Sequence, residues 1–342
     1  MQSYRELHDE LRCTARDLLA KDTPDWRLLG ELGWPGLEVP ESCGGAGASF
    51  AETAVVLEEI GRAAATTAFL GGAVLTVGTL TALRAGDVPE DLLARVAGTQ
   101  TRMAVALPAD GSIEPLFGFD GQRVSGRAEF VPDAHGAAAL LLLARDPDGA
   151  PVIVNAPAEA LEVITAPVLD ETRCVAEVSA SGAPGVVLRF DGDPQAAVAR
   201  IFDRARLAVA CDSLGLAEAM LGATVDYAKV RYQFGRAIGS FQAVKHACAD
   251  MLVDLRVGRR LVGAAIEAVV TGDPDASTAV LMAKAAVCGS AVDIVGKAMQ
   301  LHGGIGYTWE HGIHVYLKRA ALNRALFGAP AAHRRQLALR YL

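Results

Sequence analysis

Three short stretches of the 342-residue sequence gather groups suited to holding an anionic ligand. The first is Arg231-Tyr-Gln-Phe-Gly235, followed by Gly239-Ser-Phe-Gln242. Arg231 offers a guanidinium fork to a phosphate. Phe234 can lie against a flat ring, and Gly235 lets backbone approach a ligand closely. The same residues also describe a plain interhelical turn with a surface arginine and a core phenylalanine. The second is Gln300-Leu-His-Gly-Gly-Ile-Gly-Tyr-Thr-Trp-Glu310. Its glycines stop a helix and leave bare backbone for a ligand, or for another subunit packed against it. A helix precedes the glycines and no strand does, so this is not a dinucleotide-binding fingerprint. The third is Phe202-Asp-Arg-Ala-Arg206, which reads equally as an ion-paired helix turn.

Other chemistries fit poorly. His302, His311 and His314 are close in sequence, but no HExxH occurs and the nearest acid is Glu310, so no metal site is expected. No GxSxG elbow is present. The six cysteines (Cys13, Cys43, Cys174, Cys211, Cys248, Cys288) stand singly, without a CxxC pair, as reduced cytosolic thiols do. Lys plus Arg is 32 against 40 Asp plus Glu, a net charge of −8. That balance argues against nucleic acid and leaves any anion to a local arginine site. The first twenty residues are charged throughout, unlike a secretory leader, and no long uncharged apolar run suggests a membrane span. A cytoplasmic location is expected.

Three zones must position these stretches. Residues 1–99 read as a helical domain. Thr23 with Pro24 offers a helix start, Leu28, Leu29 and Leu32 recur at helical spacing, and residues 51–62 carry an apolar stripe and an acidic face. Residues 100–193 hold short apolar runs separated by Gly, Pro, Asp and Asn, the pattern of a compact antiparallel β domain. Residues 194–342 return to helices: one long proline-free Ala/Leu-rich segment, a second over about 240–270, a third from Ser277 to Gly303, and a last over about 314–326.

Taken in order, these segments resemble the acyl-CoA dehydrogenase family over nearly the whole chain. Residues 26–34, Val39-Pro-Glu-Ser-Cys-Gly-Gly45 and Glu58-Glu-Ile-Gly-Arg62 are similar to its N-terminal helical domain, and Gly126-Arg-Ala-Glu-Phe-Val131 to its β domain. Arg231-x-Gln-Phe-Gly with Phe241-Gln242, and Gln300-x-His-Gly-Gly-x-Gly-Tyr307, resemble its C-terminal signatures. The resemblance implies a mainly α fold with a central β-barrel-like domain and a C-terminal four-helix bundle. It implies FAD at a subunit interface, in dimers or tetramers, and α,β-dehydrogenation of an acyl-CoA thioester. By motif match Arg231 faces the FAD pyrophosphate and Phe234 the adenine end. Gly235, Gln242, Gln300, Gly303 and Gly304 accompany the same ADP half, and Asp203 and Arg206 lie beside the acyl-CoA.

The sequence departs from the family at the catalytic base. Gly328 stands where the glutamate after the last helix belongs, and Ala205 stands at the alternative place on the helix carrying the FDxxR segment. Neither can accept a proton. The flavin-lining loop is replaced by Ala106-Leu-Pro-Ala-Asp-Gly-Ser112, and the Trp-Ile-Thr-like stretch by Phe130-Val-Pro132. These losses resemble the glutamate-free subunit of bacterial heteromeric steroid-type acyl-CoA dehydrogenases, which completes the FAD site of a homologous partner that carries the glutamate. Alternatives are a self-sufficient dehydrogenase with Glu310 or Asp203 as a relocated base, a non-enzymatic acyl-CoA-binding or scaffold protein, and a flavin monooxygenase or nitroalkane oxidase of the same fold.

Overall fold

The computed structural model describes residues 2–21 and 23–341, leaving aside the side chains of residues 2–5, 310 and 341. The chain opens with α1 (Gln2–Leu19), α2 (Trp26–Glu31) and α3 (Phe50–Ala63). A π-helical turn (Leu70–Leu75) then runs into α4 (Thr76–Leu80), and α5 (Leu92–Ala97) follows. The cap of α2 is Asp25, whose carboxylate accepts from the Leu28 N–H at 2.8 Å, so the helix starts two residues later than Thr23 suggested. Ser49 and Glu52 form a capping box on α3.

Eight strands follow: β1 (Met103–Ala106), β2 (Phe117–Phe119), β3 (Arg123–Pro132), β4 (Ala139–Arg145), β5 (Pro151–Pro157), β6 (Glu162–Thr165), β7 (Val175–Pro184) and β8 (Val186–Leu188). They make one sheet in the order β6-β7-β3-β2-β4-β5-β8, with β1 pairing β4. The sheet is mixed rather than antiparallel, because β1 and β2 both run parallel to β4. Short runs cannot reveal strand direction; the long excursion between β1 and β4 makes the parallel return possible. β2 and β6 are only three and four residues long, below what periodicity detects.

The last zone is α6 (Pro194–Val230), a hairpin of β9 (Tyr232–Gln233) and β10 (Arg236–Ala237), α7 (Gln242–Thr271), α8 (Ala276–His302), α9 (Ile313–Ala325) and α10 (Pro330–Ala338). Asp193 and Pro194 start α6 as cap and first-turn residue. Residues 194–230 and 276–307 are apolar and long enough to cross a bilayer by length alone. Their strongest windows are 72% and 56% buried within the chain, as core helices are.

α3 lies against α6 through two glycines. A Cβ on Gly61 would meet the Asp212 carbonyl oxygen at 1.9 Å, and one on Gly215 would meet that of Glu58 at 1.8 Å. Beside this contact sits a buried polar cluster. Arg319 on α9 grips Asp212 on α6 at 3.0 and 2.5 Å and donates to the Ala65 carbonyl and to Thr172 Oγ1, both at 2.9 Å. Arg173, before β7, lies 3.0 Å from Asp212 and donates to Asn323 Oδ1 at 3.1 Å. Asn323 in turn donates to Asp212 at 2.6 Å. Burial alone raises a carboxyl pKa, but Arg173 and Arg319 overcome it and hold Asp212 down at about 2. The folded-state value lies below the ordinary 3.8, so this stabilisation is complete above pH 3.8 and is lost as pH falls toward 2. Asp212→Asn leaves two buried guanidiniums short of a counter-charge. We expect it to cost about 3–5 kcal/mol at neutral pH, with the difference from wild type shrinking below pH 4, as read by denaturant melts.

Candidate functional site

α6 ends, α7 begins and α8 ends at one end of the helical bundle, and this collects the sequence-predicted ligand residues. Arg231 caps α6, its N–H on the Tyr227 carbonyl, and its carbonyl accepts from Ile238 at 2.8 Å. The β9–β10 hairpin then presents Phe234 with φ +53° and 91% of its surface exposed. Its neighbour Gly235 also has positive φ, +77°, which a side chain resists. Gln242 is exposed at the start of α7. Arg236 stacks over the Phe241 ring at 4.0 Å, and Phe241 meets Phe234 edge-on, fixing the hairpin. Tyr227 joins this hairpin to the glycine stretch: its ring stacks on His302 at 4.4 Å and its hydroxyl donates to the His302 carbonyl at 3.3 Å. Gln300, Gly303 and Gly304 lie exposed just beyond. Gly303 has φ +63°, and a Cβ on it or on Gly304 would meet nothing within 4 Å. Arg231 has no ion pair among the described residues. An unpaired guanidinium, an exposed ring and an open glycine backbone share one surface, and that suits a phosphate joined to an aromatic base.

A second concavity opens between the sheet and α9. A cavity of about 500 Å³ is lined by Pro108, Ala109 and Asp110, by Arg127, Glu129 and Phe130 of β3, and by Leu322, Ala325 and Leu326. Both loops expected to line a flavin ring therefore meet here. Sequence reasoning missed Arg127 and Glu129, although their alternation on β3 places them on one face. Their chemistry is unhelpful to a ring that needs donors. Arg127 is spent on Glu129 at 3.0 Å and Glu177 at 2.7 Å, while Asp110 and Glu129 can only accept. The groups at the end of the bundle thus suit a phosphate joined to an aromatic base, whereas the charged side chains lining this cavity offer no donor beyond the already paired Arg127.

Asp203 and Arg206 are 6% and 4% exposed and face each other at 3.2 Å. Ser277 donates to Asp203. Arg206 donates to the Gly111 carbonyl at 2.9 Å and the Phe327 carbonyl at 3.4 Å. The pair therefore ties the 108–112 loop to the turn after α9, with no donor turned to an open cleft. Burial raises the Asp203 pKa against the pull of Ser277 and Arg206. The side chain of Glu310 lies outside the described residues.

The two positions at which the sequence resemblance looks for a base are closed. Ala205 is fully buried. Gly328 has φ +106°, and a Cβ there would come within 2.5 Å of the His333 ring. A Cβ on Gly111 would meet Gly328 Cα at 2.8 Å, so two glycines let these loops touch. His333 is 2% exposed, and its Nε2 finds no partner among the described residues. Burial, then the charges of Arg206 and Lys284, push its pKa down to about 4. The unfolded imidazole takes a proton near 6.5 that the folded one refuses. His333 therefore lowers stability as pH falls from 6.5 toward 4. We expect the melting temperature of wild type to fall relative to His333→Gln between pH 7 and pH 5, measured by calorimetry at both values.

Comparison with known proteins agrees with this geometry. Residues 4–89 match the N-terminal domain and residues 195–342 the C-terminal domain of acyl-CoA dehydrogenase. The chain is 32% identical to acyl-CoA dehydrogenase IpdE2 of Mycolicibacterium smegmatis, over 96% of this chain and 91% of that protein. Among solved structures it is similar to a variant of the Tcur3481-Tcur3483 steroid ACAD, at 29% identity and a TM-score of 0.87, covering 97% of each chain. It shares its fold with the ChsE4-ChsE5 complex from Mycobacterium tuberculosis, at 23% identity and a TM-score of 0.85, covering 99% of this chain and 96% of that one. An open ADP-type surface on a helical bundle, a mixed sheet against it and matches at both ends of the sequence lead to one assignment: the chain belongs to the acyl-CoA dehydrogenase family, whose members bind FAD.

Proposed function

We propose that this chain is the glutamate-free subunit of a heteromeric acyl-CoA dehydrogenase and completes the FAD site of a homologous partner. The observation that carries the reading is the closed turn at Gly328, with the His333 ring filling the space a side chain there would need. Ala205, at the alternative position, is buried as well. The open surface at the end of the bundle supports the other half of the reading, and so do the structural relatives described as a steroid ACAD and as a ChsE4-ChsE5 complex. Steroid-like acyl-CoA thioesters are the substrate class this likeness favours.

Bound FAD would supply the hydride acceptor for α,β-dehydrogenation of an acyl-CoA thioester, a reaction that also needs a carboxylate to take the α-proton. In this reading the chain supplies position rather than proton transfer. Arg231 neutralises the pyrophosphate and Phe234 covers the adenine end. Gly235, Gly303 and Gly304 let backbone approach, with Gln242 and Gln300 at the margin. Asp203 and Arg206 act indirectly, by holding the loops around residues 111 and 327. The partner supplies the base and the ring-facing donors, and burial between subunits keeps water from the reacting atoms.

Co-expression with a homologue that carries the glutamate, followed by visible spectroscopy, tests this. We expect flavin absorption and acyl-CoA-dependent bleaching in the complex and neither in the lone chain. Full activity of the pure chain would overturn the reading and direct attention to Glu310. Within the complex, Arg231→Ala removes one charge-assisted contact to phosphate. It should weaken flavin retention on the order of tenfold or more while the complex stays assembled, as followed by flavin release on dilution.

A further inference from the structure

His302 ends α8 just before the open glycines, and it is 3% exposed. Its Nδ1 lies 2.7 Å from the Ala298 carbonyl oxygen. A carbonyl can only accept, so Nδ1 carries the hydrogen. Nε2 of the neutral ring is then a bare acceptor, and it finds no partner among the described residues. Burial, and to a lesser degree the neighbouring His311, hold the ring's pKa below its ordinary 6.5, so the acceptor is present at neutral pH. A buried acceptor left unanswered costs about 1–3 kcal/mol and calls for a donor.

No described residue offers one. Tyr227 stacks on the ring at 4.4 Å, but its hydroxyl donates to the His302 carbonyl at 3.3 Å. His311 stands nearly perpendicular to the ring, 5.1 Å away between centroids. It forms no hydrogen bond with Nε2. His311 is exposed, so its side chain can give way without unpacking the core. Tyr227 lies about one helical turn before Arg231 on α6, and its stacking sets His302 at the root of the ligand surface. Between a phosphate held by Arg231 and a base laid on Phe234 stands the sugar, whose hydroxyls are donors.

We infer that His302 is a specificity residue of this surface: its Nε2 accepts a hydrogen bond from a ribose hydroxyl of a bound ADP moiety, and His311 moves aside to admit it. The inference rests on the proposed reading of this surface as an ADP site. It adds the group that would select a ribonucleotide over its deoxy counterpart.

Calorimetric titration of the full chain with ADP, 2′-deoxy-ADP and 3′-deoxy-ADP tests it. We expect wild type to bind ADP, and to bind one of the two deoxy forms on the order of tenfold more weakly. His302→Phe keeps a ring against Tyr227 and removes the acceptor. In that variant ADP should weaken by a similar factor, and the three nucleotides should bind alike. His311→Ala should retain the wild-type preference. With nitrogen-15-labelled histidine, the Nε2 resonance of His302 should move upfield when ADP saturates the chain and stay in place with the disfavoured deoxy form. A purely structural His302 gives a different pattern: the phenylalanine variant then weakens all three nucleotides by a common factor and keeps the preference. That pattern, or equal binding of all three to wild type, would overturn the inference and leave the ADP surface standing. Wild type that binds no ADP at all would remove both. The comparison of ligands on wild type holds even if the variant misfolds.

Discussion

Asp212 is the charge around which the parts of this chain are arranged. It sits fully buried on α6 and collects Arg319 from α9, Arg173 from the turn before β7 and Asn323 from the end of α9. Arg319 extends the same cluster to the Ala65 carbonyl, at the end of α3. A buried carboxylate is tolerable only when its lone pairs are answered, and here the answering groups come from every layer of the fold. The cluster therefore sets relative placement more than net stability. Packing through Gly61 and Gly215 keeps α3 and α6 close enough for it to close.

That frame fixes two surfaces of opposite character. At the end of the bundle the side chains point outward, and a cation, an aromatic ring and open backbone are free. Between sheet and helices, by contrast, the polar groups already answer one another. Arg127 is held by acids, Arg206 by Asp203 and two carbonyls, and Lys284 by the Asn323 carbonyl at 2.6 Å. A ligand can recruit groups at the first surface without breaking existing bonds. At the second it would have to displace them, and each displaced buried group costs its desolvation.

The turn after α9 shows how a missing side chain reshapes its surroundings. With glycine at 328, the 108–112 loop can approach to van der Waals distance and His333 can occupy the space beneath. Arg206 then spans the two loops as a clamp. A side chain at 328 would need the His333 ring to retreat, because its Cβ would come within 2.5 Å of that ring.

The sequence by itself determined the succession of helices, strands and helices, because apolar periodicity and cap residues are local signals. It also determined the cluster of ligand-type residues around Arg231 and Gly303 and the absence of an acid at 205 and 328, which need only residue identity. Tertiary structure decided the rest. The cap at Asp25 rather than Thr23 depends on which residue holds extended backbone. The parallel pairing of β1 and β2 with β4 depends on contacts across some thirty residues. Whether Phe202-Asp-Arg-Ala-Arg206 faces a ligand or a neighbouring loop cannot be read from its composition; α6 buries it, and its donors go to Gly111 and Phe327. Arg127 and Glu129 became part of a cavity only once the fold set β3 across from the end of α9. A local pattern names the groups available. The fold decides which of them are already satisfied, since that depends on partners distant in the chain.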